Sequence, residues 1–520
     1  MKLNMIFKMM MVTVLAAALA GCSFLSGKKE VPPTQEKPAA KPAAKPAAEK
    51  AAKKAAVKPA AKKAAVKPAA KKAAVKPAAK KAAVKKIVKG KSLPYEIKLS
   101  LNKKNGIYKK GEDVVVKFTL LKNGKPFEGQ KMRWVMRYGK DKQDFISSAK
   151  GNTFTFKAER EWTGIHFLAL DEKGKTVTYL HNKKKVSVDT VVGFLTEPEK
   201  IKSALAEPAD FDTYWANARK ELAKVPVKVL EKKVRKLGKK YDSKVVCYDV
   251  KVACAGNAPV SGYLCMPVNA KAKSLPIIVF YHGAGVRSAG PKAQDALDGA
   301  ITLDVNAHGI ENGKNVKFYQ DLYKTTLQGY YYKNCNDRNK YYFRNVYLRV
   351  IRALEYVKTL PEWNGKDLIV RGASQGGGQA LVAGGMDKDV TVVYAGVPAL
   401  CDLLGSLAGN GREPGWPRLP RFAKGDLASS SIGKAAPYFD AAYFAKRIQA
   451  ESYLTVGLID LVCVPTSVYA AYNNIPAKKK AISVFPSKGH GGTYSIAFNK
   501  RQKEIIAKAK AAKAPAAKKK

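Results

Sequence analysis

Acidic residues are scarce: 41 Asp and Glu stand against 95 Lys and Arg in a chain of 520 residues, a formal charge of +54. So large an excess is foreign to an ordinary soluble enzyme and has to be located before function is read. Histidine is scarcer still, with five in all, at positions 166, 181, 282, 308 and 490. Few side chains are therefore available as a general base. Cysteine is absent between Cys22 and Cys247, so no disulfide braces that stretch. Beyond the N-terminus no apolar run approaches the ~18–20 residues that cross a bilayer, which excludes a multi-pass membrane protein. An apolar fraction of 46% equally excludes a wholly disordered chain.

Much of the charge sits where there is little else. Residues 23–90 hold 20 lysines against three glutamates, and residues 507–520 hold six more lysines. At roughly 150 residues per domain, the intervening 91–506 suggests two or three folded units with sizeable cores.

The N-terminus reads as an address. Lys2 and Lys8 precede an apolar stretch, Met9 to Ala20, too short to span a membrane, in the manner of a bacterial export signal covering residues 1–21. Leu19-Ala20-Gly21-Cys22 resembles the lipobox at which a diacylglycerol is joined to the cysteine sulfur, so Cys22 is the expected lipidation site and membrane anchor. Ser23 is not the aspartate that retains many lipoproteins in the inner membrane, which favours the outer membrane of the envelope. Residues 22–91 form the expected linker, in which KKAAVKPAA recurs with Pro59, Pro68 and Pro77 at a fixed period. Proline at that period stops a continuous helix, and like charges extend the chain. Such a tether could also hold anionic envelope polymers through many weak, salt-sensitive contacts. Nucleic acid is not an expected partner, because the Lys/Ala/Pro tract 37–86 interleaves no aromatics for base stacking. The tail 507–520 repeats the composition and is expected to be disordered.

Residues 92–193 change to period two: Tyr95, Ile97, Leu99 and Leu101, then Val114, Val116, Phe118 and Leu120, then Met132, Trp134, Met136 and Tyr138. That alternation predicts half-buried strands. Asn123-Gly124 predicts a hairpin between two of the runs. Short strands over such a length suggest an all-β, immunoglobulin-like sandwich, here without its inter-sheet disulfide. Trp134 and His166 read as structural, and the unit as a spacer or accessory module.

Residues 194–506 alternate short apolar runs with helical patterns such as Val346, Val350, Leu354 and Val357, which predicts an α/β unit with a mostly parallel sheet. After the apolar run Leu368–Val370 comes Gly372-Ala373-Ser374-Gln375-Gly376, and then a helical pattern. G-x-S-x-G between strand and helix is a nucleophile elbow, with Ser374 as nucleophile. In that fold acid and base follow the serine, and His490 is the only histidine that does. Asp460, at the end of the run from Tyr453, is the expected acid, with Asp402 and Asp440 as possible substitutes. The backbone N–H groups of Gln375 and of Ala284, in the loop Tyr281-His282-Gly283-Ala284-Gly285, are the expected oxyanion donors. His282 and His308 read as structural. No metal site and no cofactor is implied, and the pairing of the remaining cysteines cannot be read from spacing.

Together these residues resemble the acetyl xylan esterase / cephalosporin-C deacetylase family of α/β-hydrolases (carbohydrate esterase family seven). The likeness runs from Pro208-Ala209-Asp210-Phe211-Asp212-Thr213-Tyr214-Trp215 to the segment around His490. It includes Gly262-Tyr263-Leu264, Tyr342-Phe343-Arg344-Asn345-Val346-Tyr347, Val397-Pro398 with Cys401-Asp402, and Asp460 with Cys463 and Pro465. The resemblance implies hydrolysis of O-acetyl esters on sugars through an acetyl-enzyme on Ser374. Two departures stand out: Asn306-Ala307-His308 where many members carry Arg-Gly-Gln, and Gly491 where glutamate commonly follows the catalytic histidine. The expected function is a lipid-anchored carbohydrate esterase acting on acetylated xylan fragments or similar glycans. Competing readings are a prolyl-oligopeptidase-like peptidase or other ester hydrolase on the same fold, and a non-catalytic glycan- or peptidoglycan-binding lipoprotein.

Overall fold

In the first unit, strand Asp113–Lys122 buries Val114, Val116, Phe118 and Leu120 and leaves the residues between them partly or fully exposed. It pairs antiparallel with Tyr95–Leu101 and Asn152–Lys157. A second sheet runs in the order Ile107–Tyr108, Asp189–Thr196, Trp162–Ala169, Lys131–Met136, Lys142–Ile146. The sheets meet across a shared core, where Phe118 stacks on Phe167 with ring centroids 5.4 Å apart. The unit is thus a β-sandwich. These coordinates come from a computed structural model that describes residues 94–137, 141–256, 258–493 and 495–512. The export signal, Cys22, the lysine-rich linker through residue 91, Tyr138 and residues 513–520 lie outside the described residues.

Asn123 and Gly124 turn the chain with φ of 51° and 80°, the positive angles of a primed hairpin. The return strand differs from expectation. It is only Lys125–Pro126, and Lys131–Met136 joins the opposite sheet. The Phe127 N–H still donates to the Leu120 carbonyl at 2.9 Å, after which the ladder ends and the chain crosses over.

The second unit is built on nine strands: β1 (Val229–Val234), β2 (Val245–Val252), β3 (Val260–Pro267), β4 (Leu275–Tyr281), β5 (Ile301–Asn306), β6 (Trp363–Ala373), β7 (Val392–Gly396), β8 (Glu451–Gly457) and β9 (Lys480–Phe485). In space they run β1-β2-β3-β5-β4-β6-β7-β8-β9. The first three pairings are antiparallel, and all later ones are parallel. Parallel strands need cover on both faces, and β4 shows it. Ile277 and Val279 enter the large core with Val346, Val350, Leu354 and Val357 of α1 (Tyr342–Lys358). Ile278, on the other face, meets Phe498, Ile505 and Ile506 of the C-terminal helix (Ile496–Ala511).

Two expected boundaries shift. Strand Asp189–Thr196 runs across the one placed at 193, and still pairs with the sandwich at Leu195 and Thr196. The C-terminal helix continues past 506 to Ala511 and buries Ala509, so apolar packing carries order into the start of the basic tail. Cys247 and Cys265, opposed on β2 and β3, form a disulfide, while Cys254, Cys335, Cys401 and Cys463 are free thiols.

Candidate active site

Ala284, Ser374, Asp460 and His490 follow the carboxyl ends of parallel strands β4, β6, β8 and β9, where open α/β sheets place their sites. β6 ends at Ala373 and helix α2 (Gln375–Met386) begins two residues later, so Ser374 alone makes the turn. It does so at φ 58° and ψ −127°, a region that L residues rarely adopt. The flanking glycines permit it sterically: a Cβ on Gly376 would collide with the Tyr281 carbonyl oxygen, and one on Gly372 with that of Gly376.

The loop after β9 brings His490 Nε2 to 2.9 Å from Ser374 Oγ. The loop after β8 brings Asp460 Oδ2 to 2.9 Å from His490 Nδ1. Asp460 is fully buried. Its Oδ1 accepts the N–H groups of Val462 and Cys463 at 2.8 and 3.0 Å, which fix the carboxylate plane. Burial works against an imidazolium at His490, but the Cys463 sulfur and the Asp460 carboxylate beside it outweigh burial and hold its pKa above the ordinary value. Burial in turn pushes the Cys463 thiol pKa up.

Gln375 opens α2, whose first N–H groups have no acceptor within the helix. Ala284 lies between Gly283 and Gly285, and a Cβ on Gly283 would stand 3.5 Å from Ser374 Cβ. The structure therefore brings the segments carrying both expected donors beside the serine. The two substitutes for the acid are engaged elsewhere. Asp440 accepts the N–H groups of Asp402, Leu403 and Ala442, and burial with the nearby Asp402 charge pushes its pKa up to about 7. Asp402 accepts the Ala204 N–H and pairs with Arg412.

His282 and His308 brace the loop after β4. His282 Nε2 accepts the Ala307 N–H at 3.1 Å, and its Nδ1 contacts the Gly283 carbonyl at 2.7 Å. His308 contacts the Tyr342 hydroxyl and the Gly285 carbonyl. Burial pushes its pKa down to about 3, so it stays neutral. The Asn306-Ala307-His308 departure thus lies in the supports of the site. Among the described residues no cluster of His, Cys, Asp or Glu is arranged to hold a metal ion.

Sequence reasoning missed three contributors: Cys463 as a neighbour of the imidazole, Trp162, and Tyr330. The Tyr330 hydroxyl donates to Gln375 Oε1 at 2.6 Å and accepts the Gly285 N–H at 3.1 Å. It thereby ties the two donor-bearing segments together. The run of tyrosines at 330–332 was the one available signal, and nothing in it points to a partner 45 residues away.

Strand order and elbow together define the class: an α/β-hydrolase with a serine-centred site. The family model for acetyl xylan esterase matches residues 191–507. The acetyl esterase Axe7A of Xylanibacter ruminicola is 31% identical over 405 residues, which cover 75% of this chain and 86% of that protein. Among solved structures, an acetyl xylan esterase from Paenibacillus sp. R4 aligns at 25% identity with a TM-score of 0.50, over 61% of this chain and 98% of its own. The chain belongs to the acetyl xylan esterase family and is a serine-type carboxylic-ester hydrolase.

Tyr330→Phe checks the clamp. The substitution leaves the Gly285 N–H and Gln375 Oε1 without their shared partner, a loss of about 1–3 kcal/mol. We expect kcat to fall by roughly ten- to a hundredfold with KM little changed. A change in KM alone would place Tyr330 in substrate binding instead.

Proposed function

We propose that the protein removes acetyl groups from acetylated xylan fragments or similar glycans while tethered to the bacterial envelope through Cys22. One observation supports the chemistry above all others: the unbroken chain from Ser374 Oγ through His490 to Asp460, with 2.9 Å at each link. In this reading His490 Nε2 takes the Ser374 proton as Oγ attacks the acetyl carbonyl carbon. The tetrahedral oxyanion is stabilised by the N–H groups of Gln375 and Ala284, each contributing about 3 kcal/mol. His490 then gives the proton to the departing sugar oxygen, and an acetyl-Ser374 ester remains. Water, deprotonated by the same imidazole, attacks that ester. Acetate leaves, and Ser374 Oγ recovers its proton. Asp460 holds Nδ1–H throughout and stabilises the imidazolium.

Acetate release by the full chain from acetylated xylo-oligosaccharides, against 4-nitrophenyl acetate and peptide amides, tests the substrate class. Turnover of the two esters is expected. Peptide cleavage without acetate release would overturn the reading. For the anchor, Cys22→Ala is expected to move the protein from the membrane to the soluble fraction, and equal partitioning of both forms would refute it. The lysine-rich linker supports a further contact with anionic envelope polymers, weakened by salt.

A further inference from the structure

The sandwich reaches into the arm that carries Asp460. Trp162, in its strand Trp162–Ala169, donates its indole N–H to the Leu458 carbonyl at 2.9 Å, across 296 residues of sequence. Leu458 is fully buried and lies between the end of β8 and Asp460. Gly193, in the adjacent sandwich strand, packs so tightly that a Cβ there would overlap the same carbonyl oxygen. A Cβ on Gly106 would stand 2.7 Å from Leu458 Cδ1.

The opposite side of this segment is bound to the loop of the base. The Leu458 N–H donates to the Phe485 carbonyl at 3.1 Å, and the Ile459 N–H to that of Lys488 at 3.2 Å. Trp162 and Leu195 pack in the hydrolase core, not in the sandwich core. Beyond Asp460 a second line of contacts repeats the arrangement. Arg137 of the sandwich meets Glu413, Glu413 meets Arg418, and Arg418 donates to the Leu461 carbonyl at 2.6 Å. The residues at 458 and 461, on either side of the acid, are therefore both held from the sandwich side.

We propose that the sandwich is a working part of the active site, in which Trp162 is a positioning residue that fixes Asp460, and through it His490, by its bond to the Leu458 carbonyl. The proposal rests on the triad reading above. A buried carbonyl deprived of its donor has no water to replace it. The segment then relaxes, and misplacing a catalytic group by about 1 Å can cost on the order of a hundredfold in rate.

The test uses the full chain with Trp162→Phe, which removes the donor and keeps a ring, and Gly193→Ala, which pushes on the carbonyl directly. Trp162→Phe is expected to lower kcat about tenfold with KM unchanged, and Gly193→Ala about a hundredfold. Trp162→Phe is also expected to move the rising limb of the pH profile to lower pH, because the carboxylate grips the imidazole less well. In an Asp460→Asn background it should add nothing, since residues acting through one another are not additive. A merely structural tryptophan would lower Tm, leave the pH midpoint in place and give losses that multiply. Any of the last two results overturns the proposal. The Nδ1–H proton resonance of His490, assigned by its loss in Asp460→Asn, reads the same geometry without turnover and should shift in Trp162→Phe. If wild type and Ser374→Ala release equal acetate, the triad reading fails, and an unshifted resonance would separately sink the positioning role.

Discussion

Acetate release by Ser374→Ala is expected to fall about 10⁶-fold, to the residue of catalysis left when a triad loses its nucleophile. The loss is expected to be this large because the Ser374 hydroxyl is the oxygen to which His490 Nε2 is hydrogen-bonded. Binding is expected to survive, so the Kd of Ser374→Ala for an acetylated oligosaccharide, measured by calorimetry, should stay close to that of the parent. Residual activity within tenfold of the parent would remove Ser374 from the chemistry, at roughly the level of one hydrogen bond.

Asp460→Asn is expected to lower kcat about 10⁴-fold, because the amide no longer selects the imidazole tautomer that leaves Nε2 free to accept a proton. The pH profile carries a second signature whose sign follows from the site. Only neutral His490 can act as base, and Asp460 favours the charged form. The rising limb of kcat/KM in the parent therefore lies above the ordinary histidine midpoint of about 6.5, and it moves to lower pH in the variant. An unchanged midpoint would mean that the carboxylate does not face the imidazole in solution.

The serine and histidine were legible because two local facts suffice for them: a glycine-flanked turn between strand and helix, and one histidine downstream of it. Asp460 needed only the end of a strand. What escaped was whatever depends on chain segments meeting from far away. Trp162 reads as one more apolar strand residue until Leu458 is laid against its indole N–H. The Cys247–Cys265 pair emerges only from the register of β2 on β3. Arg352 places its guanidinium among the carbonyls of Leu222, Val225, Pro226 and Ala253, so its role is to close helix and strand ends. The hairpin at Asn123-Gly124 was read correctly as a turn and wrongly as to its partner, because the short return strand leaves the ladder after Phe127 and the run from Lys131 pairs in the opposite sheet.

The elbow that presents Ser374 has a consequence for how firmly the chain holds together. At φ 58° and ψ −127° any side chain pays a conformational toll of about 1–3 kcal/mol that glycine escapes. Ser374→Ala keeps that toll, whereas Ser374→Gly abolishes it along with the reaction. The glycine variant should thus melt higher than the working enzyme: the most useful atom in the molecule is kept in place at the expense of the fold that carries it.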